Sequence, residues 1–248
     1  MTFSIAARCP RTGMLGVATS SKALAAGSMV PYCRAGAGAI ASQSFVNPYL
    51  GIDGLVLLEQ GLAAERVVER LIESDRGREL RQFAVVDKDG RTAAYTGDRC
   101  IPWAGQVFGG GYVCLGNILV REMVVRAMAD SFERSLDEDL PERLVRALEA
   151  GQEAGGDRRG RQSAGILVVD REEYPWCDLR VDDHEDPVPE LRRLLGVWRR
   201  EHVPFLTVMP RRDDYVPMWE NVLKVRDSIE SQLEQEELAA EEPAVKES

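Results

Sequence analysis

Thr2 directly follows Met1. A Met followed by a residue as small as Thr is normally trimmed, which leaves Thr2 as a free N-terminus. Its hydroxyl then lies beside its own α-amine, whose reference pKa of about 7.7 suits a general base near neutral pH. One residue supplies both nucleophile and base, and no histidine is required. That suits a sequence whose two histidines are His184 and His202 and which lacks a G-x-S-x-G elbow. Many chains begin Met-Thr for no chemical reason, so Thr2 gains meaning only from what gathers around it.

Other segments offer groups for the same chemistry. Ser20-Ser21-Lys22 ends a strand that should return to Thr2. An ammonium at Lys22 would depress the pKa of a neighbouring amine. Gln43-Ser44-Phe45-Val46-Asn47-Pro48 sets polar groups at a strand end, with Ser44 and Asn47 as substrate-binding candidates. The Asn47 amide could donate to a carbonyl or a developing oxyanion, or simply stabilise a turn. Gly116-Asn117 closes another strand. A backbone N–H there, or the Asn117 side chain, could form an oxyanion hole, while Asn117 would also serve as a helix N-cap. In Gly155–Ala164, Asp157 or Ser163 could orient the Thr2 amine, and Arg158, Arg159 or Arg161 could hold a substrate carboxylate. Gly36-Ala37-Gly38 lacks the third glycine of a dinucleotide loop and fits a crowded strand better. Asp182-Asp183-His184-Glu185-Asp186 resembles a hard-metal cluster, but its spacing fits no EF-hand and acidic residues suit the start of the following helix.

The elements that must position these groups follow from periodicity. Thr2–Arg8 alternates as a strand, Cys9–Gly13 is a turn, and Met14–Ser20 is its hairpin partner. Residues 35–44 read as a strand of small side chains, ended by Asn47-Pro48. Leu55, Leu58, Leu62, Val67, Val68 and Leu71 share one helical face over 51–73, with Gly61 dividing it. Lys88-Asp89-Gly90 joins strands at 82–87 and 92–96. A strand at 112–115 precedes helices at 120–132 and 141–152, the second capped by Asp139. Strands at 164–169 and 176–181 and a helix at 187–200 complete the order. Strand pairs between blocks of helices predict two largely antiparallel sheets covered by helices, and not a Rossmann fold. After Pro210, residues 215–238 could form a further helix, and the closing acidic segment is expected to be disordered.

Composition narrows the function classes. The 248 residues are 44% hydrophobic and 29% charged, which is enough for a sizeable core. Of the net charge of −10, residues 230–248 carry seven Glu against one Lys, so the body is only mildly acidic. No concentrated basic footprint for nucleic acid exists. No apolar run approaches a membrane span, and Met1–Ile5 lacks a basic region followed by an apolar stretch, so a cytoplasmic location is expected. The five cysteines form no C-x-x-C pair, which argues against a disulfide framework or a cysteine zinc site. No cofactor or metal motif survives this reading.

Six segments in order resemble one bacterial family. They are Thr2–Arg8; Gly16-Val17-Ala18 with Ser21-Lys22; Gln43–Pro48; Thr96-Gly97-Asp98-Arg99-Cys100; Gly155-Gly156-Asp157 with Gly160 and Gln162-Ser163-Ala164; and Leu179–His184. The family is one of unknown function placed in the N-terminal-nucleophile (Ntn) hydrolase superfamily, and the resemblance covers about residues 2–200. It implies a four-layer αββα sandwich of α+β class over 1–203, with 204–248 as a C-terminal extension. It implies Thr2 as nucleophile, with Ser20 and Lys22 at the activating end of the second strand and Asp157 and Ser163 where residues support the terminal amine. The sequence departs from the superfamily by carrying Ser20-Ser21 where an acid is common.

The resulting expectation is an amide hydrolase acting on carbon–nitrogen bonds other than peptide bonds. Thr2, Lys22, Asn117 and Asp157 form the catalytic set; Ser20, Ser44, Asn47, Gly116, Arg161, Gln162 and Ser163 form the substrate-binding set. The partner is a small linear or cyclic amide, with no nucleic acid and no membrane, and a homo-oligomer is the default assembly. The alternative is a non-catalytic binding or scaffold protein on the same fold. A metal-dependent activity around Asp182, Asp183 and His184 is the third reading.

Overall fold

The computed structural model describes residues 2–214 and 219–241. The chain runs β1 (Thr2–Arg8), β2 (Leu15–Ser21), α1 (Ala26–Met29), β3 (Pro31–Arg34), β4 (Gly38–Ser44), α2 (Pro48–Glu59) and α3 (Ala64–Ser74). It continues with β5 (Arg81–Asp87), β6 (Thr92–Thr96), β7 (Gly105–Gly109), β8 (Tyr112–Asn117), α4 (Met123–Arg134) and α5 (Leu140–Glu153). The last elements are β9 (Ser163–Val169), β10 (Cys177–Val181), α6 (Pro187–Val197), α7 (Val203–Leu206) and α8 (Trp219–Glu241). Contacts divide the chain into a unit Met1–Leu195 and a unit Gly196–Ser248.

Two antiparallel sheets form the first unit, in the orders β10-β9-β2-β1-β8-β7 and β3-β4-β5-β6. Helices α4 and α5 cover the outer face of the larger sheet, and α2 and α3 cover the outer face of the smaller one. The result is a four-layer αββα sandwich. Pro141 and the Asp139 cap, which accepts from Glu142 N at 2.8 Å, start α5 as the sequence predicts. Strands β3 and β7 escape the sequence reading. Each is a strand of four or five mostly half-buried residues at a sheet edge, too short to show an alternation. The strand expected from residue 35 begins at Gly38, because Gly36 takes a left-handed φ of 69° in the β3–β4 turn. The expected late helix begins at Trp219 and runs through Glu241, so much of the acidic segment is helical. Residues 215–218 and 242–248 of those expectations lie outside the described residues.

Side-chain alternation explains where polar groups collect. The inter-sheet core contains Ala6 of β1, Leu15 and Val17 of β2, Ala39 and Ala41 of β4, Ala84 and Val86 of β5, and Val113 and Leu115 of β8. The same phase, followed to one end of these five strands, gives Ser4 and Thr2, Thr19 and Ser21, Gln43, Gln82, and Asn117. All seven are buried. The inter-sheet layer therefore changes from apolar to polar along its length.

On the outer face of β4 a small residue lets helix α2 approach the sheet. A Cβ on Gly38 would lie 2.5 Å from the Val86 carbonyl oxygen and 2.6 Å from Leu58 Cδ1. Gly38→Ala should therefore destabilise the fold by about 1–3 kcal/mol, read as a lowered urea midpoint with an unchanged slope.

Candidate functional site

Thr2 pairs with Ser21 on one side and Asn117 on the other. Its Oγ1 donates to Ser21 Oγ at 3.2 Å. The three residues line a cleft of about 380 Å³ in which Arg159 is the charged side chain. Apolar groups make most of the remaining wall, among them Leu24, Met29, Phe45 and Ile101, all exposed. The size suits a small molecule.

A chain of buried amides lies beneath Thr2, and its direction is fixed. Gln82 Nε2 faces the carbonyl oxygens of Gly116 at 2.8 Å and Gly105 at 3.2 Å, which can only accept. Gln82 Oε1 must then accept, and it does so from Gln43 Nε2 at 2.8 Å and Asn117 Nδ2 at 3.0 Å. Gln43 Nε2 also reaches the Thr2 carbonyl at 3.3 Å. Ser4 Oγ lies 2.6 Å from Gln43 Oε1 and 2.8 Å from Thr19 Oγ1. Its single hydrogen serves the amide oxygen, so Thr19 donates to Ser4. One atom is left over: Asn117 Oδ1 is buried without a partner. Such an acceptor costs about 1–3 kcal/mol.

The ladder sets the backbone around Thr2. Arg8 N donates to Gly111 O at 2.8 Å, in register with the Thr2–Asn117 pair. Hydrogen-bonded pairs alternate along antiparallel strands, so Thr2 and Asn117 also exchange backbone bonds. Gly116 is out of phase and turns its N–H toward Gly105 of β7. The oxyanion role expected of Gly116 and Asn117 is thereby corrected: both N–H groups serve ladders, and the Asn117 amide nitrogen points to Gln82.

The structure separates the other expected site residues. Ser44 lines the cleft with a left-handed φ of 72°. Ser20 pairs with Phe3, whose ring packs toward α5, so the pleat sends its side chain to the face opposite Thr2. Lys22 is exposed and does not line the cleft; its backbone N–H donates to Asp157 Oδ2 at 2.8 Å. Asp157 also accepts from Arg159 N at 2.7 Å, with the Arg159 guanidinium 3.4 Å away. Its carboxylate therefore ties the end of β2 to the Arg159 loop. Ser163 Oγ donates to Ala23 O at 2.6 Å and accepts from Ala26 N at 3.0 Å, which fixes the segment forming one cleft wall. Arg161 pairs with Asp186, and Gln162 donates to Asp183, on the exposed surface. His184 Nδ1 accepts from Asp186 N. Among the described residues no group of three His, Cys, Asp or Glu side chains is arranged to hold a metal ion.

Asn47 serves as the N-cap of α2, accepting from Tyr49 N at 3.1 Å, while its amide donates to Asp75 at 3.0 Å. The expected substrate contact at Asn47 is replaced by this cap, and Asn47 does not line the cleft. Asp75 also accepts from Arg81 Nε, whose Nη1 donates to the Phe45 carbonyl at 2.6 Å, so the pair braces the Phe45 wall. The expected site omits Ser21, Gln43 and Gln82, and it takes Arg161 where the structure brings Arg159 to the cleft. The first three were legible as polar residues in the inward phase of otherwise apolar strands.

With its geometry defined, the molecule is an αββα sandwich whose central strand carries a threonine to a cleft between the sheets. The chain belongs to a family of unknown function, DUF1028, whose family model matches residues 2–191. A solved structure of the same family, protein SPO2555 from Silicibacter pomeroyi, is 32% identical, with a TM-score of 0.79 over 86% of this chain and 97% of that one. Anbu (ancestral beta-subunit) from Yersinia bercovieri is 13% identical, with a TM-score of 0.34 over 80% of this chain and 94% of that one. No curated protein matches significantly. No helix among the described residues is long and apolar enough to cross a membrane.

Burial raises the Asp75 carboxyl pKa, but hydrogen bonds from Arg81, Asn47 and the Gly77 N–H outweigh it and hold the group below its ordinary value. Its stabilisation is complete above the unfolded pKa of about 3.9 and is lost as pH falls through the lower folded value. Asp75→Asn should cost about 2 kcal/mol at pH 7. In urea melts the gap to wild type should close as the pH drops below about 4.

Proposed function

We propose that this protein is an amide hydrolase of the N-terminal-nucleophile type, acting on a small molecule. The carrying observation is the position of Thr2, buried at the cleft end of the central strand with its Oγ1 against Ser21 Oγ. Removal of Met1 gives Thr2 a free α-amine. Thr2 Oγ1 then attacks the amide carbonyl while the amine takes the hydroxyl proton. The tetrahedral intermediate collapses to an ester on Thr2, and the proton passes from the amine to the departing nitrogen. Water, deprotonated by the same amine, releases the acid and restores Thr2.

The lining supports a substrate class. Leu24, Met29, Phe45 and Ile101 suit an apolar acyl group. Arg159 suits a carboxylate on the amine side, in a bidentate pair. N-acyl amino acids combine these features.

A β-lactone that acylates N-terminal threonine tests the nucleophile. Untagged protein should lack Met1 and gain one adduct, located on Thr2 by peptide mass, and Thr2→Ala should gain none. Retention of Met1 would overturn this mechanism and favour a binding protein on the same fold. For the substrate, Arg159→Ala should raise KM for N-acyl amino acids at least tenfold and leave KM for the matching neutral amides within about twofold. Equal effects on both would remove the carboxylate assignment.

A further inference from the structure

We propose that Asn117 Oδ1 holds the Thr2 α-amine, as a positioning residue for the reaction above; the inference rests on that reading of Thr2. The amide chain fixes which way Asn117 faces. Gln82 Oε1 must accept, so Asn117 turns Nδ2 toward it and Oδ1 away. Oδ1 is then a buried acceptor without a partner, on a residue only 1% exposed. With Met1 attached this atom has almost no accessible surface, and the Thr2 nitrogen is the strand group that the ladder turns to this residue.

Trimming supplies the missing hydrogen. While Met1 is attached, the Thr2 nitrogen carries one hydrogen, and the Asn117 backbone carbonyl takes it. A free terminus carries two or three. One stays with the carbonyl and the next is available to Oδ1. The side chain and backbone of Asn117 thus grip the amine together and fix its lone pair relative to Thr2 Oγ1.

Arg159 is the charged side chain of the same cleft, and the other groups next to Thr2 are mostly neutral. Next to Thr2, β8 contributes Asn117, β4 contributes Gln43 and Ser44, and β5 contributes Gln82, none of which titrates. Arg81 of β5 turns to Asp75 and the Phe45 carbonyl instead. On the β2 side stand Ser21 and the exposed Lys22, and the nearby loop carries Asp157 paired with Arg159.

The test uses the processed wild-type protein labelled with 15N-asparagine. The sequence holds three asparagines, Asn47, Asn117 and Asn221, and the capped Asn47 is an internal control. Intact mass first establishes whether Met1 is gone. Between pH 6 and 9 the Asn117 side-chain resonances should move with a single pKa, and those of Asn47 should stay still. The same pKa should govern acetic anhydride labelling of the N-terminal peptide. Asn117→Asp should raise it by about one unit or more. If Met1 is absent and the Asn117 resonances stay still while the terminal amine titrates, the contact is wrong and Thr2 survives as nucleophile. If Met1 is retained, both readings fall. The wild-type spectrum decides the matter even if Asn117→Asp fails to fold.

Discussion

Gln82 is the residue on which the site depends. It is buried between two sheets and bonded to both of them: Gly116 and Asn117 on the larger, Gln43 and Thr96 on the smaller. Side-chain amides buried without partners are expensive, so the network holds only if every donor meets an acceptor. Backbone carbonyls at one end dictate its direction, and that direction passes through Gln82 to Gln43 and Asn117. Removing the Gln82 amide would orphan groups on both sheets at once. The polar end of the sandwich is therefore cooperative, whereas the apolar end is held by close contact of small side chains.

The cleft opens where strands leave this layer, and the backbone is strained there. Among the described residues, the non-glycine positions with positive φ are Ala25 at 52°, Ser44 at 72° and Ile118 at 51°. Ser44 and Ile118 line the cleft, and Ala25 sits between lining residues Leu24 and Ala26. A β-branched residue such as Ile118 rarely takes this conformation. Strain of this kind persists only when the surroundings enforce it, and it concentrates at functional sites. Here Ile118 N donates to Ile101 O at 2.8 Å and Ile118 O accepts from Arg158 N at 3.3 Å. The kink after Asn117 is thus locked on both sides, and Arg158 is held next to the cleft residue Arg159.

The sandwich was legible because its signals are local. Alternation, hairpin turns and the Asp139 cap each depend on neighbours in sequence, and together they imply paired strands between helices. The register of β1 on β2 also follows from the hairpin, which is why the end of β2 could be expected beside Thr2. Parity was the missing step: Ser20 and Ser21 are equally polar, and only the pleat decides that Ser21 joins Thr2. Asn47 shows the opposite failure. Its position before Pro48 suits a cap and a ligand contact equally, and the choice is made by Asp75 and Tyr49. Arg159 and Arg161 differ by two residues, yet one lines the cleft and the other pairs with Asp186. That separation comes from loop geometry fixed by Asp157, to which sequence spacing is blind.

On the proposed reading of Thr2, the neutral Ser20-Ser21 pair at the end of β2 suits the base. A carboxylate close to the Thr2 amine would favour its ammonium form and remove the base at neutral pH. A nearby ammonium would favour the neutral amine but repel any cationic stage of proton transfer. In the proposed mechanism Ser21 and Asn117 do neither, since both are hydrogen-bonding groups without net charge. The nearby carboxylate, Asp157, is engaged by the Lys22 and Arg159 backbone N–H groups and the Arg159 guanidinium. On the proposed reading, a terminal amine whose reference pKa is already about 7.7 needs no charged neighbour to work near pH 7. It needs only to be held in place, and a fixed neutral amide does this without shifting the equilibrium far.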